Sequence, residues 1–305
     1  MPTSADISVV VQGPIRRATG IDGYGTADAL ASVRAQLPQA EIILSTWDGE
    51  DLTGLPADRI VASADPGPLA WPPFRTNNVN RMVRSTAAGL AVATRPLAVK
   101  TRTDTVLVSD SLIHRPLAPA NPALGATARV HVAALGTKNP LTTGYHFHPS
   151  DLVQFGRTAD LRRLWSAPVA SLHDVFHDPC PARPSGGVRL SPEQWVFRGF
   201  LRRAGVDAEI ESLQDLRLDP FATSMRCLLG AIDVFDELAC GVRLPPRMHL
   251  IVPDWECINE AGLRGLRGYW HATPDAARSL HATMLENIAV LTRQAEEAGV
   301  SRDAA

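Results

Sequence analysis

Short β-branched runs alternate with amphipathic stretches through the first hundred residues. Ile7-Ser8-Val9-Val10-Val11 reads as a buried strand. Thr26 is placed to cap a helix carrying Leu30, Val33 and Leu37 on one face, with Pro38 closing it. Residues 41–47 and 59–61 give two further strands. From Val79 the apolar positions Met82, Val83, Ala87, Leu90 and Ala91 recur at helical spacing until Arg95-Pro96, where the pre-proline bias stops the helix. Leu97-Ala98-Val99 follows as a short, continuously apolar strand. This rhythm predicts a doubly wound α/β sheet, mainly parallel, with helices on both faces.

The order loosens afterwards. Residues 116–122 form a proline-rich connector, residues 129–132 and 144–148 read as strands, and a helix passes through Leu161, Leu164 and Trp165. Residues 173–187 hold many His, Pro and Gly without a period and read as a loop. Ser191-Pro192-Glu193-Gln194 is a strong helix start, with Ser as cap, Pro at the first position and Gln three residues after the Ser. Residues 248–252 look strand-like, and a final helix begins after Thr273-Pro274-Asp275. The expected division is an α/β domain over residues 1–215 and a mostly helical part over residues 216–305 packed on it.

Composition narrows the function. The chain of 305 residues is 45% hydrophobic and 20% charged, which suits a globular protein with a sizeable core. A net charge of -2 argues against general affinity for nucleic acid or anionic membranes. All basic residues but Lys100 and Lys138 are arginine, the better fork for phosphate oxygens. Cys180, Cys227, Cys240 and Cys257 form no CxxC pair, so free thiols are expected and a zinc site is not. No leader precedes the first strand and no apolar run reaches the length of a membrane span, so a cytoplasmic location is expected.

The Gly-rich phosphate loops are missing: no GxGxxG follows the first strand and no GxxxxGK[ST] occurs. Chemistry concentrates instead around residues 77–104. Asn77, Asn80, Arg81 and Arg84 fall three or four apart, on one side of a helix start. Lys100-Thr101-Arg102-Thr103-Asp104 arrives at the carboxyl end of the next strand, where open α/β sheets bind their ligands. His146 and His148, two positions apart on an expected strand, would point to one face and could share a metal, although a third ligand at a recognisable spacing is lacking.

Residues 7–14, 40–47, Asp65-Pro66-Gly67, residues 77–81 and 100–104, Ser150-Asp151, Phe155-Gly156 and residues 191–194 together resemble the WavE lipopolysaccharide-synthesis family. The match runs in consistent order over about the first two thirds of the chain. This resemblance implies a nucleotide-sugar glycosyltransferase with the A-type, single-Rossmann-like fold, acting on a hydroxyl of a glycan or small glycosylated acceptor. It implies that Gln12, Gly13 and Pro14 meet the nucleoside of the donor, and that Asn78 and Arg81 approach its sugar and diphosphate. The usual Asp-x-Asp that binds Mg²⁺ or Mn²⁺ is replaced by Arg102-Thr103-Asp104, which leaves Asp104 as the single expected metal ligand. One carboxylate alone makes a poor site for such an ion, and Lys100 and Arg102 are expected to neutralise the diphosphate directly. The pattern also implies a base at residues 193–194, so Glu193 is the first candidate and Asp151 the second. Two other readings remain open: a metal-dependent phosphoesterase built on His146, His148 and Asp104, and a non-catalytic nucleotide- or carbohydrate-binding module.

Overall fold

The computed structural model describes residues 1–17, 23–71, 75–179 and 187–297. Its centre is a seven-stranded sheet built from β1 (Ile7–Gln12), β2 (Glu41–Trp47), β3 (Arg59–Ser63), β4 (Leu97–Arg102), β5 (Val130–Ala133), β6 (Gln154–Arg157) and β7 (Ile232–Phe235). Their spatial order is β7-β5-β6-β4-β1-β2-β3. Strand β6 runs antiparallel to both neighbours, and every other pairing is parallel. A mixed, mainly parallel sheet flanked by helices is the architecture expected from the sequence.

Among the described residues, seven longer helices surround it: α1 (Thr26–Gln36), α2 (Val79–Val92), α3 (Thr158–Leu164), α4 (Pro192–Arg203), α5 (Leu218–Ala231), α6 (Glu260–Ala272) and α7 (Ala276–Glu297). The central strands are buried on both faces, so their sequences are apolar throughout rather than alternating. Successive side chains still point to opposite sides. Val10, Ile43 and Ala98 pack with α2, α3 and α4, whereas Val9, Val11, Ile42, Leu44 and Val99 pack with Leu30 and Val33 of α1.

Helix α2 lies unusually close to the sheet. A Cβ on Gly89 would fall 2.4 Å from Val10 Cγ1 and 3.0 Å from Ser45 Cβ. Only a residue without a side chain permits that approach. The helix is also hooked to the strands. Ser45 Oγ donates to the Ser85 carbonyl (2.6 Å), and Ser85 Oγ donates to Gln12 Oε1 (2.6 Å).

Several local expectations change. Gly25, not Thr26, stands at the N-cap of α1, because the Thr26 hydroxyl accepts from the Arg16 N–H instead. Residues 144–148 form no strand. They turn through Phe147, whose φ of 56° is rare for a residue with a side chain. The run expected as a strand at 248–252 lies largely in a short helix, Pro246–Ile251. Strand β7 comes from beyond residue 215 and pairs with β5 at the sheet edge. The loop expected at 173–187 falls partly outside the described residues, and Cys180 lies wholly outside them. Within that loop the described ends pair as a small ribbon, Phe176–His177 against Gly187–Val188. No helix among the described residues is long and apolar enough to cross a membrane.

Candidate active site

A cleft of about 670 Å³ opens over the carboxyl ends of β1, β2 and β4, where the connections from neighbouring strands diverge. Register places Gln12 opposite both Ser45 and Arg102, so the three strand ends finish level. Gln12, Gly13 and Pro14 line the cleft beyond β1, Trp47 lines it at the end of β2, and Arg102 and Thr103 line it beyond β4. Gly13 has a φ of 126°, and a Cβ there would meet Thr103 Oγ1 at 3.1 Å. Thr103 Oγ1 donates to the Pro14 carbonyl (2.8 Å), tying the two loops together.

The polar cluster at the start of α2 divides by task. Asn77 Oδ1 accepts from the Val79 N–H (2.9 Å) while its Nδ2 donates to the Leu190 carbonyl (3.2 Å). Asn80 is buried and exchanges two bonds with the backbone of Ala170, at 2.9 and 2.8 Å. Both side chains therefore clamp α2 to the opposite wall. Asn78 and Arg81 line the cleft. Arg81 forks onto Asp65, with Nε 2.8 Å from Oδ1 and Nη2 2.5 Å from Oδ2, and its Nη1 donates to Asn78 Oδ1 (3.3 Å).

Asp104 is buried beneath this surface and is surrounded by guanidiniums. Arg102 Nε donates to Oδ1 (3.1 Å) and Arg102 Nη2 to Oδ2 (3.3 Å). Arg247 also donates to Oδ2, and Arg16 Nε lies 3.4 Å from the same oxygen. Burial opposes ionisation of Asp104, yet Arg102, Arg247 and Arg16 outweigh it and hold the carboxyl below the ordinary aspartate range. A divalent cation needs carboxylate lone pairs that point at it. Both oxygens of Asp104 already accept from arginine, and no three His, Cys, Asp or Glu among the described residues converge as a metal cluster. The residues present do not fit the metal site expected at Asp104.

The antiparallel direction of β6 brings the segment before it to the carboxyl end of β4. Asp151 consequently sits against Lys100. Lys100 Nζ donates to the Asp151 carbonyl, lies 3.4 Å from Oδ2, and rests 4.9 Å from the centre of the Trp165 ring. Lys100 is fully buried and does not line the cleft. Burial pushes its ammonium below the ordinary lysine range, with Asp151 opposing.

Glu193 occupies the first turn of α4. Ser191 Oγ accepts from the Gln194 N–H and Gln194 Oε1 accepts from the Ser191 N–H, both at 3.1 Å, so the capping box read from the sequence forms. Gln194 Nε2 then donates to the His146 and Leu213 carbonyls, each at 2.9 Å. A second acid there would lose both bonds. Ser191 and Pro192 line the cleft, and about 20% of the Glu193 side chain remains exposed. Glu193 Oε2 lies 3.5 Å from His148 Nε2, and His148 Nδ1 is 3.1 Å from the Gly136 carbonyl. Burial, followed by the Asp151 charge, pushes Glu193 up to about 7. Burial, followed by Lys138, pushes His148 down to about 4.

His146 and His148 do not share a face, since the segment is a turn. His146 packs edge-on to Phe221 while His148 stacks on Tyr145. The sequence reading named Gln12, Gly13, Pro14, Asn78, Arg81 and Arg102, and the structure brings these to one cleft. It did not single out Arg247 or Trp47. Nor did it single out Arg16, although a cation just past the first strand is a local signal; Arg247 lies 143 positions from Asp104 and carries none.

The fold and cleft define an α/β protein built on one large sheet, with polar groups meeting at its strand ends. The chain belongs to the WavE lipopolysaccharide synthesis family, whose model matches residues 7–226. No curated protein matches it. Among solved structures, HddC from Yersinia pseudotuberculosis complexed with GMP-PN is 9% identical, covering 52% of this chain and 78% of its own, with a TM-score of 0.28. The mannosyltransferase PcManGT from Pyrobaculum calidifontis in complex with GDP-Man and Mn²⁺ is 12% identical, covering 99% and 84%, with a TM-score of 0.34. Both likenesses are too faint to bear on the chemistry of this chain.

Proposed function

We propose that this chain is a glycosyltransferase that moves a sugar from a nucleoside-diphosphate donor to a hydroxyl of a glycan or small glycosylated acceptor. The observation that carries this reading is the meeting of unlike groups at one cleft. Guanidiniums of Arg16, Arg81 and Arg102 line it, and Glu193, raised to about 7, follows directly on Ser191 and Pro192 of its lining. Membership of the WavE family supports the same reading.

The loop from Gln12 to Pro14 and the Trp47 ring would receive the nucleoside. Arg81 and Arg102 would hold the diphosphate and offset the charge that grows on it as its bond to the sugar breaks. Glu193 would take the proton from the acceptor hydroxyl as that oxygen bonds to the sugar's anomeric carbon. A base titrating near 7 suits proton transfer at neutral pH. Asp151, the second candidate base, is engaged by Lys100, and its charge keeps Glu193 from ionising too early. Residues 1–215 would bind the donor, and residues 216–305 would shape the acceptor side.

A thermal-shift screen with UDP, GDP, dTDP and CMP tests the reading. Stabilisation by at least one of them is expected, together with sugar transfer that Glu193→Gln removes without loosening nucleotide binding. Indifference to every nucleotide would overturn it. Binding without transfer, unchanged in Glu193→Gln, would leave only a binding module.

A further inference from the structure

Asp104 stands where the family resemblance expects a metal ligand, but its surroundings assign it another task. We propose that Asp104 organises an arginine cluster of Arg16, Arg102 and Arg247, and that this cluster does the work of a divalent cation toward the donor's diphosphate. The inference rests on the glycosyltransferase reading and specifies how the leaving group is held.

The geometry argues for it in three ways. Asp104 accepts at both oxygens and keeps 1% of its side-chain surface exposed, so no lone pair is presented to a cation in the cleft. Two of its partners, Arg16 and Arg102, line the cleft, with 35% and 21% of their side chains exposed. Their outer N–H groups are thus available on the side where a ligand sits. Three guanidiniums also converge on this one carboxylate, and the two that reach the cleft, Arg16 and Arg102, repel a divalent cation there and attract a pyrophosphate. Guanidinium forks match phosphate oxygens in pairs, and a carboxylate that fixes their planes in advance spares reorganisation when the ligand arrives.

The backbone explains why this position holds an arginine. Arg102 ends β4 level with Gln12, two residues before Asp104, so Arg102 folds back onto its own turn. Arg16 arrives from the loop after β1, and Arg247 from the short helix Pro246–Ile251. Three distant segments converge on one buried carboxylate. An isolated pair ending a strand would need only Arg102.

Calorimetric titration with inorganic pyrophosphate and with UDP and GDP, in EDTA and then in Mn²⁺, decides the matter. We expect pyrophosphate to bind in EDTA with an affinity that Mn²⁺ changes less than threefold. Arg16→Gln and Arg102→Gln should each weaken that binding tenfold or more. Asp104→Asn should weaken pyrophosphate binding by the same factor in EDTA and in Mn²⁺, because it releases the arginines that Asp104 positions and removes no ligand of a metal. Binding that appears only with Mn²⁺, or a loss in folded Asp104→Asn that is confined to Mn²⁺, would overturn the inference while leaving the transferase reading intact. Should Asp104→Asn fail to fold, the arginine variants in EDTA settle the question. Pyrophosphate binding in EDTA with no response to any nucleotide would sustain the arginine site and bring down the transferase reading.

Discussion

Glu193 Oε2 faces His148 Nε2 across 3.5 Å, and the two side chains depart from their ordinary pKa values in opposite directions. His148 is held neutral, and Nδ1 sits against the Gly136 carbonyl, which can only accept. The hydrogen-bond network therefore places the ring proton on Nδ1 and leaves Nε2 as an acceptor. A protonated Glu193 can donate to it, and an ionised one cannot be answered by it. The imidazole thus favours the protonated carboxyl, adding to the effect of burial.

One consequence is kinetic. Sugar transfer should rise with pH through about 7 as Glu193 loses its proton. Glu193→Gln should lower kcat by roughly 10² to 10⁴ and flatten that limb, with nucleotide affinity unchanged. A pH–rate profile of parent and variant checks both. A limb that persists in the variant would remove Glu193 from the base's role.

A second consequence concerns stability, and its sign is the reverse of the usual carboxylate. Glu193 is raised from its ordinary 4.5 to about 7 in the folded chain. Between those values the native state holds a proton that the unfolded chain has released. Stability contributed by this group is therefore intact at low pH and declines as pH rises from 4.5 through 7. Glu193→Gln should melt higher than the parent at pH 8, and the difference should shrink toward pH 4. Melting curves at the two pH values read it directly, and an excess confined to pH 4 would contradict the assignment.

Gly89 offers a test of the fold itself. Adding a methyl group forces α2 away from Val10 and Ser45. Helix propensity alone would favour alanine here by up to about 1 kcal/mol. Overpacking costs about 1–3 kcal/mol and should win, because the contacts are with a sheet buried on both faces. Urea unfolding of Gly89→Ala should show a net loss of stability, accompanied by weaker nucleotide binding as Arg81 moves with the helix.

The legible parts of this molecule are those set by short-range pattern. β1, β2, α2 and the capped start of α4 follow from apolar spacing and end signals within a dozen residues. The turn at 144–148 was misread because Tyr145, His146, Phe147 and His148 have strand-like character. Their conformation is decided by tertiary contacts, among them the Phe147 N–H donating to Ser224 Oγ at 2.8 Å. The same limit applies at the cleft. Arg102 could be placed from its strand end, but the meeting of Asp104 with Arg247 and of Glu193 with His148 depends on how distant segments pack. Lys100 shows the converse error. Its place near the end of a strand suggests a ligand contact, but it stands two residues further from that end than Arg102 on the same face, so its side chain is buried under the cleft against Asp151 and Trp165.

Asn78 and Asn80 separate structure from function within a single helical turn. Asn80 is buried, and its amide satisfies both the N–H and the carbonyl of Ala170. Asn80→Ala strands two backbone groups, each worth about 1–3 kcal/mol when left unpaired in the interior. A loss of roughly 2 kcal/mol or more is expected, with α2 loosened from the opposite wall. Asn78 makes no capping bond, lines the cleft and touches Arg81. Asn78→Ala should leave stability within about 0.5 kcal/mol, as a substitution away from such clamps usually does. It should nevertheless weaken nucleotide-sugar binding, because Arg81 loses the neighbour that orients its Nη1. Denaturant melts paired with ligand titrations of the two variants would show the contrast. If Asn78→Ala bound the donor as tightly as the parent, the start of α2 would be a wall of the cleft and not part of its grip.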